Sequence, residues 1–586
     1  LWSSGETSSS IWVSGTGSHS ISLTGTYTKS DGTTCSLTSD TYTFTINPSP
    51  SLSITNNSST VDLTGSNYID LEAVYTSGAS ILWSTGVTGD TVNIYSSGDY
   101  SVTASLNGCS TTQNVQVYEP IYVAKTGNNT TGDGSFSSPY LTIQKGIDEA
   151  LEGQKIYVLP GNYKEGELDF ETSSGSGVYK NLYIASDLVR LDDSSAIAST
   201  IIDADGDEFL IKIYGSNSST IQGFTLTGQE AGSTWQSSLL GLQYGASLTF
   251  RDLIIRDNTS SSNQQEAQVM NIRNQGTNVI FDNVHFKDNA SQGNQSRKTA
   301  FIYNYASVDF INCTWEDNYG WEAVVRVQYY AKAYFENNLF VDNYGSDWGI
   351  VDVGHDSYST VTFMNSSIVN NLDLNNNRGL IGISGNNNTV EFINSVLGTP
   401  ESGQDMIKNN SSTTNSFVAR NSVLSKDTSD GATYPTKLIW DVDATTVFSD
   451  PQLNTDGTLK ATSPAIGLAT KNPVTIGSTT YTPPLLDLAG VTRPDPAGSN
   501  PDAGAYESDK AQGDLDIILT QCAYLLEATV LNTTNYTYSW SLNGAVVSTD
   551  LSYLATALGT YTFEVVSTDR SQTISEDIIL SDPLRF

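Results

Sequence analysis

Seven segments between Thr220 and Leu397 carry one pattern. They are TIQGFTL from Thr220, TFRDLII from Thr249, IFDNVHF from Ile280, DFINCTW from Asp309, YFENNLF from Tyr334, TFMNSSI from Thr362 and EFINSVL from Glu391. An eighth, VARNSVL from Val418, is a weaker copy. Their second residues are Ile221, Phe250, Phe281, Phe310, Phe335, Phe363, Phe392 and Ala419, spaced 29, 31, 29, 25, 28, 29 and 27 residues apart. A repeat of this length without helical periodicity signals a solenoid. The units are rich in aromatic and β-branched residues, so the solenoid is built of strands.

Within a unit, apolar residues stand at the Phe position, two before it (Leu248, Val279, Val308, Val361, Val390) and five after it (Ile255, Phe286, Trp315, Phe340, Ile368, Leu397). Strict strand alternation would keep one parity. The parity flips, so a bend lies between the Phe and the position five later. At Phe plus two stand Asp252, Asn283, Asn312, Asn337, Asn365, Asn394 and Asn421. Asn and Asp are the non-glycine residues that best tolerate left-handed backbone. A second column stands at Phe plus eight: Asn258, Asn289, Asn318, Asn343 and Asn371. Two bends per unit are expected to close each coil, with like residues stacked about 4.8 Å apart. The phenylalanine stack and the asparagine columns resemble the right-handed parallel β-helix of the pectate-lyase-like superfamily. The expected fold is all-β, with nine to eleven coils.

Ile121–Tyr163, IYVAKTGNNTTGDGSFSSPYLTIQKGIDEALEGQKIYVLPGNY, resembles the opening of secreted β-helix proteins. In those, a turn-rich run precedes a capping helix. Within it Ile143, Ile147, Ala150 and Leu151 have the spacing of an amphipathic helix, which would cover the open strand edges of the first coil. SPAIGLA (Ser463–Ala469), LLDLAGVTRP (Leu485–Pro494) and DAGAYE (Asp502–Glu507) resemble the terminal module of the same proteins.

The flanks have short alternating strands with Gly and Ser turns, the pattern of a β-sandwich. Trp2, Trp83 and Trp540 hold corresponding positions and are expected to plug sandwich cores. SGDYSVTAS from Ser97 matches GTYTFEVVS from Gly559. These segments resemble the immunoglobulin-like modules of surface proteins exported by type IX secretion in Bacteroidota. The chain divides into a partial module at 1–48, a module at 49–119, the β-helix with its capping helix at 120–508 and a module at 509–586. Fewer strands precede Trp2 than Trp83, and the chain ends in a Pro-containing joint. Both features point to a piece of a longer chain.

The formal net charge is −36, with only 27 Lys and Arg. Such a surface repels nucleic acid and anionic membrane and leaves room for Ca2+, with no other cofactor indicated. No apolar run reaches the roughly 18 residues of a membrane span. The four cysteines, Cys35, Cys109, Cys313 and Cys522, form no metal-binding pattern. Cys313 reads as a small core residue.

Proteins of the resembled superfamily often bind polysaccharide along one outer face. Some cleave it by β-elimination, with a Lys or Arg base, and others hydrolyse it with paired carboxylates. Here the strand before each Phe unit should turn Leu242, Ile272, Ile302, Val327, Val353 and Ile383 inward. Gln243, Arg273, Tyr303, Gln328 and Gly354 then point out on one side, and Asn271, Phe301, Arg326, Asp352 and Gly382 on the other. Arg326 and Asp352 fall on adjacent coils and are the catalytic candidates. Arg273, Tyr303, Arg326, Asp352 and His355 are the ligand-binding candidates. The same residues also fit a structural reading, in which Arg326 and Asp352 form an ion-paired rung. Asp203, Asp205 and Asp207 form the one acidic cluster, without calcium-loop spacing, and read as a metal candidate or a tight turn. Two functions stay open: a secreted surface protein, structural and adhesive, that meets extracellular polysaccharide or neighbouring modules, and a polysaccharide lyase or hydrolase with accessory modules.

Overall fold

The computed structural model describes all residues except 55–67, 231–236, 261–267, 292–297, 355–357, 376–378, 399–405, 412, 426–436, 496, 498, 511–515, 523, 532–535, 568–572 and 581–586. Three parallel sheets wind through the central region. The longest has 21 strands, and the Phe segments run along it in register: Phe250 beside Phe281, then Phe310, Phe335, Phe363 and Phe392. The middle sheet has eight strands and the short sheet five. Eight strands in the middle sheet give about eight complete turns, fewer than expected.

The six phenylalanines are fully buried. Their centroids are 5.1, 5.1, 4.9, 4.9 and 4.7 Å apart from Phe250 to Phe392. A second stack runs through Phe286, Trp315 and Phe340, at 4.1 and 5.2 Å. The parity flip therefore sends both sets into one interior. The seven residues at Phe plus two all take left-handed backbone, with φ from 47° to 56°. An L-residue there costs roughly 1–2 kcal/mol, least for Asn and Asp.

The second bend differs in detail from expectation. Its left-handed residues are Asp257, Asp288, Asp317, Asp342 and Asn370, one place before the asparagine column. The asparagines next to them turn inward and form a buried amide ladder. Asn258 Nδ2 donates to Asn289 Oδ1 at 3.0 Å, Asn289 to Asn318 at 3.0 Å, Asn318 to Asn343 at 2.9 Å and Asn343 to Asn371 at 2.9 Å. A further ladder runs at Phe plus three, where the backbone N–H groups of Asn338, Ser366 and Ser395 each donate to the next coil's hydroxyl. Cys313 occupies this column, buried, with its thiol pushed up by desolvation. Two bends do not close the coil. A third follows the middle sheet, with left-handed Tyr244, Asn274, Asn304 and Tyr329 at equivalent places.

The capping helix, α1, spans Ile143–Glu149. Thr142 caps it, and the Glu165 carboxylate accepts from the N–H groups of Ile143 and Gln144 at 2.8 and 3.1 Å. That satisfies donors a helix start leaves open. Ile143, Ile147 and Ala150 are buried, whereas Leu151 lies beyond the helix and is exposed. Two short helices follow, α2 at Asp187–Leu191 and α3 at Ala196–Ser199.

Residues 450–508 fold back along the long sheet, with Ala465, Ala469, Ala503 and Ala505 packed on Leu339, Val369, Val396 and Val423. Arg493 Nη1 pairs with Glu507 at 2.5 Å. Asp502 accepts from Gly467 and Ser508 N–H at 2.7 Å each. The flanking regions hold separate antiparallel sheets, with cores around Trp83 and Trp540. Trp83 pairs with Val102 and Trp540 with Phe563, the same place in the two matching segments. Trp2 differs: it is half-buried, its Nε1 donates to Ser8 O, and no residue of 1–48 is buried.

Phe310→Ala should cost about 3–5 kcal/mol in urea unfolding; a loss under about 1 kcal/mol would contradict the stack. A second expectation concerns pH. Burial raises Asp502 from 3.8 to about 7, against the two N–H groups it accepts. Its proton is held more tightly folded than unfolded. Stability should therefore fall as pH rises from about 4 to about 7, and this group adds no slope above that. Asp502→Asn should flatten that part of the thermal-midpoint profile; an unchanged slope would assign it to other groups.

Candidate functional site

The middle sheet places the expected inward residues inside. Leu242, Ile272, Ile302, Val327, Val353 and Ile383 lie in one register and are fully buried. Arg326 sits directly beside Asp352 on the next coil. Three of the outward-facing candidates are nevertheless buried. Arg273, Arg326 and Asp352 are only 6%, 5% and 0% exposed.

Arg326 is enclosed on three sides. Its Nε lies 3.0 Å from Asp352 Oδ2, and its Nη1 contacts the Glu322 carboxylate. Trp348 covers the guanidinium, with its ring centroid 4.0 Å from Cζ. Trp348 is held there by its backbone N–H, which donates to Glu322 O at 2.7 Å. Two carboxylates and an indole face surround the guanidinium. This geometry fits the ion-paired rung expected as the structural reading of Arg326 and Asp352.

Arg273 lies over the rings of Phe301 and Tyr303, at 5.0 and 5.3 Å. His355 lies outside the described residues. Asp203, Asp205 and Asp207 sit in a turn with left-handed Asp205 and Gly206. Asp203 Oδ1 accepts from Asp205 N–H, and Lys164 pairs with the Asp205 carboxylate at 2.5 Å. Among the described residues, no three His, Cys, Asp or Glu side chains are grouped to hold a metal ion.

Of the expected ligand residues, Tyr303 reaches the surface, at the start of an aromatic row in the third bend. Tyr305 and Tyr330 stack at 4.6 Å and 9°, and Tyr330 and Tyr358 at 5.1 Å and 19°. Beside them Tyr303 and Tyr329 stack at 5.5 Å and 25°. Tyr329 meets Tyr305 and Tyr330 edge-on. Tyr305 and Tyr358 are 48% and 53% exposed. Four of the row, Tyr305, Tyr329, Tyr330 and Tyr358, have φ between 57° and 67°, and Tyr244 at the same bend has 55°. Positive φ is unusual for bulky residues and marks strain. Parallel stacking covers the ring faces within the row and leaves full faces only at its ends.

Sequence reasoning passed over this row. The signal is present: YNY at 303–305 and QYY at 328–330 each follow an inward residue, Ile302 or Val327. Tyrosine recurring at a bend where Asn and Gly are favoured is the anomaly to look for.

No protein-family model matches the chain, and no curated protein does. Among solved structures, the chain is similar to pectate lyase Pel9A, with 17% identity and TM-score 0.35 over 66% of this chain and 96% of that one. It is also similar to XylC in complex with xylose, with 12% identity and TM-score 0.29 over 66% and 98%. A family 28 exopolygalacturonase of Yersinia enterocolitica matches at 11% identity and TM-score 0.17, over 69% and 98%.

Arg326→Ala should destabilise the β-helix by about 3–5 kcal/mol, because two carboxylates would be left buried without their cation. Replacing Glu322, Arg326 and Asp352 together by apolar residues should restore much of that loss. Urea unfolding of both variants checks this; a neutral Arg326→Ala would contradict the ion-paired rung.

Proposed function

We propose that this chain is a non-catalytic extracellular protein that holds a neutral polysaccharide along the tyrosine row of its β-helix. The flanking antiparallel units would act as immunoglobulin-like modules of a longer surface stalk, exported by type IX secretion. The observation that carries the binding reading is the row itself. Exposed tyrosines stand on strained backbone where Asn and Gly would relieve it. Tyrosine combines an apolar ring with a hydroxyl, which suits a ligand with both C–H faces and O–H groups. Successive rings 4.6 and 5.1 Å apart follow the coil repeat, so an extended chain could meet an equivalent contact on each coil. The charge of −36 disfavours a polyuronate. The enclosure of Arg326 supports binding over lyase chemistry.

Affinity electrophoresis through gels containing xyloglucan, glucomannan or polygalacturonate tests this. Retardation by a neutral polymer is expected, with none by polygalacturonate. A Tyr305→Gly/Tyr330→Gly variant should lose the retardation while its thermal midpoint stays within a few degrees, since glycine suits both backbones. Unchanged retardation in that variant would remove the row from the account. Release of unsaturated or reducing ends from any polymer would favour the lyase or hydrolase reading.

A further inference from the structure

The first bend offers an independent site on a different surface. Its column is covered at both ends. Near the start, Gly223 lies against Ser186 and Leu188, at the N-terminal end of α2. From Asn337 onward, residues 450–508 cover it, and Asn337, Asn365 and Asn394 are buried. Asn337 Nδ2 donates to Leu486 O, and Asn394 Nδ2 to Thr470 O, each at 2.8 Å. Between the two covers, the bends at Asp252, Asn283 and Asn312 open into a cleft of about 400 Å3. Ile197 and Ala198 of α3 form one wall, and Leu488, Ala489 and Tyr506 the other. The volume falls in the range of small-molecule sites, about 300–1,000 Å3.

The amide ladder of this bend is discontinuous, both in the cleft and under the 450–508 cover, where the buried Asn365 Nδ2 has no partner among the described residues. Asn283 Nδ2 donates to Asp252 Oδ1 at 2.6 Å, and Asn312 Oδ1 accepts from Asn337 Nδ2 at 3.0 Å. No hydrogen bond joins Asn283 to Asn312 among those of the described residues. The carbonyl of Asn283 and the amino group of Asn312 are thus left for another partner. His285 adds an acceptor. Its Nε2 lies 2.8 Å from Glu316 Oε2, and burial keeps the ring neutral by outweighing the pull of that carboxylate. A neutral ring that donates from Nε2 to Glu316 has Nδ1 as its acceptor. Thr314 and Ser194 contribute hydroxyls.

We infer that this cleft binds a short neutral saccharide, one ligand hydroxyl bridging Asn283 and Asn312 as the missing rung of the ladder. A hydroxyl donates and accepts at once, as that gap requires. Tyr506 and the aliphatic walls supply apolar surface for ring C–H groups. Among the described residues no Lys or Arg lines the cleft, and Asp252 brings a carboxyl group, so uronates and phosphates are disfavoured. The two surfaces lie at opposite ends of the Phe strands, so this site does not depend on the tyrosine row.

Titration calorimetry of the full chain with cellobiose, maltose, lactose, xylobiose and digalacturonate tests the assignment. At least one neutral disaccharide should bind saturably. Asn283→Gly, which keeps the left-handed backbone, and Ala489→Trp, which fills the slot from an exposed position, should each weaken it about tenfold or more. Tyr305→Gly/Tyr330→Gly should leave this binding unchanged, even where it abolishes polymer retardation. Matching thermal midpoints of the variants separate loss of binding from loss of fold. The assignment is overturned if no neutral disaccharide binds, if digalacturonate binds more tightly, or if binding survives both cleft variants.

Discussion

The buried amide ladder at the second bend is the interaction on which the coil depends. Each interior asparagine from Asn289 to Asn343 accepts from the previous coil's amide and donates to the next. The Nδ2 groups of Asn289, Asn318 and Asn343 also reach the carbonyls of Ile255, Phe286 and Trp315. A buried amide with unfilled donors is costly, whereas a filled network is specific. Coils must therefore stack with asparagine over asparagine, and that register places phenylalanine over phenylalanine. One-residue slippage would break the ladder and turn the ring stack to the outside.

The three bends solve one backbone problem with different residues. The first two use Asn and Asp, which accept left-handed backbone at low cost. The third uses asparagine at Asn274 and Asn304 but tyrosine at Tyr244 and Tyr329, and further tyrosines follow. The fold supplies a cheaper choice at that place and the sequence does not take it on every coil. That contrast, within one molecule, is the physical ground for separating the tyrosine row from the structural ladders.

The solenoid was legible because its signals are local and repeated. The Phe positions, the first bend and all six inward residues of the middle sheet follow from parity and spacing. So does the neighbouring placement of Arg326 and Asp352. What covers the outward face was not legible. Alternation separates the inside of a coil from the outside, but it does not say whether Trp348 returns over Arg326. The cleft at Asn283 was hidden for a related reason. Its second wall comes from Leu488, Ala489 and Tyr506, which no local pattern connects to Asn283. The third bend was not legible because its mixture of Tyr, Asn and Gly shows no uniform column, unlike the Asn and Asp of the two expected bends.

The most direct measurement is a crystal structure of the chain with a bound neutral hexasaccharide from a polymer that the protein retains. The account predicts sugar against Tyr305, Tyr330 and Tyr358, with Arg326 still enclosed by Glu322, Asp352 and Trp348. Sugar over the middle sheet, with Trp348 displaced and Arg326 in contact with it, would contradict the account and restore that face as the functional site.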